Sequence, residues 1–121
     1  MTLEELYREI AGNYQDIRER LRKEERIERF VLLFLKDTSY QTMRQAWEQG
    51  EMEEAFRAVH TLKGICMNLS FDELFGFASE MTECLRAGDA EGAAGILPEL
   101  EKSYEKHVQM ICKYKTVKTE S

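Results

Sequence analysis

The sequence predicts an all-α protein, an antiparallel up-down-up-down four-helix bundle with additional short N-terminal helices. Apolar residues recur at three- and four-residue spacing along most of the chain, no segment alternates with a period of two over strand length, and no hairpin dipeptide such as Asn-Gly occurs. Connections between the last helical stretches are only a few residues long, which favours antiparallel neighbours. A length of 121 residues suggests one domain, 1–121, with a modest core. Within it the reading is an N-terminal helix over 1–12, the bundle over 13–114 and a frayed polar tail over 115–121.

Punctuation and periodicity place each element. Thr2 with Glu5 makes a capping box, and Leu3, Leu6 and Ile10 follow at helical spacing until Gly12. Asn13 caps a short segment carrying Ile17 and Leu21. Ile27, Phe30, Val31, Phe34 and Leu35 then form a third helix, the most apolar, expected at the centre. Asp37 and Thr38 restart the chain, with Met43 and Trp47 facing inward until Gly50. The next helix contains His60. Ser70 and Glu73 read as a second capping box before Leu74, Phe77, Ala78, Met81 and Leu85, and Asp89 caps the final stretch. Proline inside a helix costs about 3 kcal/mol, so the single proline, Pro98, predicts a kink or a fresh start near Leu97. The last helix then runs through Leu100, Tyr104, Val108, Ile111 and Tyr114.

Composition narrows the function classes. The net charge is −6, and Lys and Arg alternate with Glu in runs such as Lys23-Glu24-Glu25-Arg26, so no basic stripe for nucleic acid forms. The longest apolar run, Phe30 to Leu35, is far too short to span a bilayer, and Glu4, Glu5 and Arg8 stand close behind Met1; no export or membrane anchoring is expected. Cys66, Cys84 and Cys112 are odd in number and far apart, which indicates neither a disulfide framework nor a zinc site. Each reads as a small buried hydrophobe in a reducing cytoplasm.

The window Ala58-Val59-His60-Thr61-Leu62-Lys63-Gly64 is the most informative in the chain. Each helical residue turns about 100°, so with His60 at zero, Lys63 lies near roughly −60°, Gly64 near +40°, Phe56 near −40° and Met67 near −20°. Those five share one face. Met52, Ala55, Val59, Leu62, Cys66 and Leu69 fall on the opposite side as an apolar stripe. His60 is therefore expected in water, beside a cation and beside a position where nothing protrudes. An ordinary imidazole titrates near about pH 6.5 and is substantially neutral and nucleophilic at neutral pH. Gly64 lowers helix stability by about 0.5–1 kcal/mol against alanine, a cost that close approach of a partner would explain.

Taken singly, each of these residues is ordinary: an exposed histidine, a solvated lysine, a helix defect. Their joint spacing opposite an apolar stripe is what argues for a site. His107 has no neighbour at ligand spacing and reads as a surface histidine. Arg86 reads as a helix-terminal surface cation, with a swing towards the His60 face as the lesser alternative.

This window resembles the histidine phosphotransfer domain, whose pattern around the phosphorylated histidine is His, any residue, an aliphatic residue, Lys, Gly; here it is His60, Thr61, Leu62, Lys63, Gly64. The order of helices from Asn13 to Tyr114 is similar to that family as well, with one departure at Ser70, where the family often has glycine. The resemblance implies a phosphorelay intermediate in which His60 accepts a phosphoryl group from a receiver-domain aspartate and passes it to another. Lys63 would stabilise the phosphoryl group, Gly64 would give steric access, and Phe56 and Met67 are candidate contacts for the docking partner. Implied partners are response-regulator receiver domains and a hybrid sensor histidine kinase, with the chain itself a monomer.

No G-x-x-x-x-G-K-[ST] or G-x-G-x-x-G occurs, so no use of ATP is expected, and no metal site or cofactor of the chain's own. The Mg²⁺ that phosphoryl transfer generally needs is expected on the partner receiver domain. Two rival readings are the phosphoacceptor domain of a chemotaxis-type histidine kinase, which carries a similar His-x-x-Lys-Gly helix, and a non-catalytic helical adaptor.

Overall fold

A computed structural model of the chain describes residues 1–120, with side chains for 1–118. The elements are α1 (Leu3–Glu9), α2 (Tyr14–Leu21), α3 (Glu24–Leu33) with a 3₁₀ turn (Phe34–Lys36), α4 (Ser39–Glu48), α5 (Met52–Leu69), α6 (Asp72–Arg86) and α7 (Ala90–Glu120). No strand occurs among the described residues. Successive pairs α4–α5, α5–α6 and α6–α7 pack along their lengths as the four-helix bundle. Side chains close the ring between its first and last members: Tyr40 stacks on Tyr104 at 3.9 Å, Gln41 donates to the Tyr104 hydroxyl, and Arg44 pairs with Glu101.

The N-terminal helices begin as the sequence predicts. Thr2 and Glu5 form a reciprocal capping box, and the Asn13 side chain accepts from the Asp16 amide. Gly12 lets α1 turn tightly against the bundle: a Cβ there would lie 2.8 Å from the Tyr7 ring and 3.0 Å from the Ser70 carbonyl. The amide of Asn13 donates to that same Ser70 carbonyl, and the Tyr7 hydroxyl donates to the carbonyl of Leu69. These contacts seat α1 and α2 on the turn that ends α5.

Helix α3 is not central. Ile27, Val31 and Phe34 are buried, but Phe30 and Leu33 are 42% and 49% exposed. The hydrophobic density of the segment misled because it wraps much of its circumference, while α3 packs only along one edge. Phe71, in the turn between α5 and α6, takes the central place, with Tyr7, Phe34 and His107 around it at centroid distances of 5.1–5.6 Å.

His107, expected on the surface, is fully buried. Its Nδ1–H donates to the Ser103 carbonyl at 2.7 Å, and Nε2 has no partner. A carbonyl can only accept, so this bond selects the Nδ1–H tautomer. Burial pushes the imidazole down to about 4. Sequence spacing marks position 107 as inward, one turn from Tyr104 and Ile111, and the polarity of histidine masked it.

The Ser70–Glu73 capping box does not form. Ser70 instead ends α5 in the left-handed region (φ 57°, ψ 37°), which is incompatible with an N-cap's extended backbone. Its hydroxyl donates to Asp16 at 2.6 Å and accepts from Arg20 at 2.6 Å. Phe71 precedes α6 without a side-chain cap, and Glu73 turns to α7, accepting from Ser103 and Lys106.

Pro98 neither ends α7 nor restarts it, for the helix is continuous from Ala90 to Glu120. Pro98 and Ala94, whose carbonyl loses its i+4 donor, both lie on the exposed face, where water can satisfy that carbonyl. Asp89 caps the helix by accepting from the Gly92 amide. The helix also continues over 115–120, where a polar tail was expected, with Lys118 paired to Glu28; residue 121 lies outside the described residues. Among the cysteines Cys66 is buried, Cys84 half-buried and Cys112 exposed, so the last departs from the buried expectation.

Candidate functional site

Helix α5 carries the site. It follows Gly50, whose φ of +74° turns the chain out of α4, and it buries Ala55, Ala58, Val59, Leu62, Cys66 and Leu69 against the bundle. Helical periodicity then obliges the other side to face water, and His60 is exposed there. Its ring nitrogens make no hydrogen bond to the described residues. The Thr61 hydroxyl turns back to the Arg57 carbonyl at 3.0 Å and so does not compete for the imidazole.

The five residues of the predicted patch share this face with different environments. Phe56 is half-buried, with its ring nearly parallel to the imidazole (11°) at 6.0 Å. Lys63 is half-buried and makes no ion pair among the described residues. Met67 projects into solvent, 57% exposed. At Gly64 a Cβ would meet nothing within 4 Å, so packing inside the chain does not require glycine there. What glycine keeps clear is the space in front of the helix, one turn from the imidazole.

Two features escaped the sequence reading. The first is an open groove of about 440 Å³ beside the far end of α5, between Ile65, Asn68 and Leu69 on one side and Phe30, Leu33 and Phe34 on the other. It exists because α3 leaves Phe30 and Leu33 uncovered, and no periodicity argument could have shown that. The second is the polar brace at the end of α5. Arg20 donates to the Asn68 carbonyl at 2.8 Å and to Ser70, placing a cation at the helix C-terminus where the helix dipole favours it. The Ser70 hydroxyl, ahead of the Arg20 charge, holds the Asp16 carboxyl below the usual range.

Arg86, at the last turn of α6, reaches the same face from the neighbouring helix. Its guanidinium lies 5.1 Å from the centroid of Phe56, and its Nε is 3.4 Å from Glu83. Among the described residues no three His, Cys, Asp or Glu side chains converge as a metal-binding group, and no helix is long and apolar enough to cross a membrane.

The arrangement is a solvent-facing imidazole with free nitrogens, a cation on its own helix, a second cation across a ring, and an unobstructed approach. It can act as a nucleophile towards a reactive group presented by a macromolecule. A family model, described as Hpt domain, matches residues 36–109, from the turn before α4 to the middle of α7. Comparison with curated proteins and with solved structures gives no match.

Proposed function

The chain belongs to the Hpt domain family, whose members take part in histidine phosphotransfer in phosphorelays with receiver domains and kinases, and from that premise we propose that His60 accepts a phosphoryl group from a receiver aspartate and passes it to a second receiver aspartate. The observation that carries this reading is the exposed imidazole, with both nitrogens unpartnered, one turn from the open space at Gly64. A ring nitrogen attacks the phosphorus of the aspartyl phosphate. The N–P bond forms as the P–O bond breaks, the carboxylate leaves, and the other ring nitrogen gives up its proton to solvent. In-line attack needs the receiver to approach within contact distance, which a side chain at position 64 would oppose.

Lys63, free of ion pairs, supplies charge to the phosphoryl oxygens once docking lowers the local dielectric. A unit-charge pair at 4 Å is worth about 1 kcal/mol in water and about 4 kcal/mol at an effective dielectric of 20. Mg²⁺ belongs to the receiver's own aspartate site. Met67 and the exposed edge of the groove at Phe30 and Leu33 offer apolar area to that receiver.

The test is phosphorylation by a receiver domain charged with a small acyl phosphate. The wild-type chain should take label from the receiver, and a His60→Gln variant should fold normally and take none. Label retained in that variant, or found on another residue, would overturn the assignment. A wild-type chain that binds receivers without ever being labelled would favour a helical adaptor.

A further inference from the structure

Phe56 is shared between two charged or chargeable groups on different helices. On α5 its ring lies nearly parallel to His60, 6.0 Å away, and the Arg86 guanidinium from α6 lies 5.1 Å from the same ring. Those two distances bound the separation of guanidinium and imidazole. We propose that Arg86 is a second phosphoryl-binding cation, held in reserve on Phe56 and by Glu83 until His60 is phosphorylated. The inference rests on the reading of His60 as phosphoacceptor.

The charge balance argues for a second cation. A phosphoryl group brings about −1.5 to −2 charge at neutral pH and three strong acceptor oxygens, more than Lys63 alone can match. Arginine presents a planar fork of donors suited to two phosphoryl oxygens at once. Its present partner is weakly held: the Arg86–Glu83 contact is a single 3.4 Å approach between two side chains that are both more than half exposed. The Phe56 face keeps the guanidinium near His60 in the absence of phosphate, so less side-chain freedom is lost when the phosphoryl group arrives. Glu83 is then the competing counterion, released as Arg86 moves to the stronger charge.

The experiment uses potassium phosphoramidate as a chemical donor, so no receiver is needed, and follows the phosphorylated chain by ³¹P NMR and by its decay. Arg86→Ala should shorten the lifetime of the phosphorylated form by roughly threefold, the scale of one exposed charge contact. Arg86→Lys should restore part of that loss, and Glu83→Gln should lengthen the lifetime by freeing the arginine. The phosphoryl resonance should titrate at higher pH in Arg86→Ala, because loss of a nearby cation disfavours the dianion. A change in protein stability alone would not move that titration. If the wild-type chain is labelled on His60 and both titration and lifetime are unchanged in Arg86→Ala, the role of Arg86 is overturned while the phosphoacceptor stands. If phosphoramidate and charged receivers both fail to label His60, the two readings fall together.

Discussion

The His107 imidazole stands edge-on to Phe71 at 5.1 Å, with its Nε2 buried and without a hydrogen-bond partner. A titratable group thus occupies a position where its charged form has little compensation. Burial, with Lys106 acting in the same direction, outweighs the Ser103 carbonyl and Glu73, which favour the charged form.

The stability of the fold should therefore fall as the solution is acidified, well before most carboxylates titrate. An unfolded imidazole titrates near about pH 6.5, whereas folded His107 does so at about 4. Above the higher value both states are neutral and the group contributes no pH dependence. Between the two values the unfolded chain binds more protons, so stability declines as pH falls, and the loss is complete below the lower one. Its full extent is about 3 kcal/mol. Urea denaturation from pH 7.5 downward measures it, and His107→Phe should flatten the slope between roughly pH 6.5 and 5. An equal slope in the two chains would show that other groups produce it.

Gly64 lies one turn from His60, and a side chain there would find open space. Gly64→Gln should keep or raise stability, by about 0.5–1 kcal/mol, because glycine is the poorer helix former. Transfer from a charged receiver should slow by far more than that change in stability. A collapse in thermal stability with a normal transfer rate per folded molecule would mean that glycine serves packing.

Phe56 and Met67 should separate by what they alter. Met67 and Leu33 project into solvent, so Met67→Ala and Leu33→Ser should weaken receiver binding through lost apolar burial at about 25 cal/mol per Å². Phe56 is half-buried against His60 and Arg86, so Phe56→Ala should act mainly on transfer rate and on the lifetime of the phosphorylated form. A titration of each variant with one receiver, paired with a dephosphorylation time course, makes the comparison. Unchanged affinity in both surface variants would move the docking surface elsewhere around His60.

The patch on α5 was legible in the sequence because it depends on one helix. Once Val59, Leu62 and Cys66 face the core, the turn per residue puts His60, Lys63, Gly64 and Met67 on the other side whatever the rest of the chain does. The capping box at Thr2, the caps at Asn13 and Asp89 and the break at Gly50 were legible for the same reason, since their partners lie within four residues. The fresh start offered at Pro98 came from the same local reasoning and does not occur, because whether a lost hydrogen bond matters depends on which face meets water.

What needed the tertiary structure were the contacts between residues distant in sequence. Ser70 could not be read as the left-handed end of α5 without Asp16 and Arg20, some fifty residues earlier, to bind its hydroxyl. His107 is buried because Phe71 and the Ser103 carbonyl meet it, and Phe30 is exposed because α3 is attached along one edge of the bundle. Arg86 comes to Phe56 only because α6 runs back along α5. Periodicity fixes a residue's direction on its own helix, but what it meets there depends on how the helices pack.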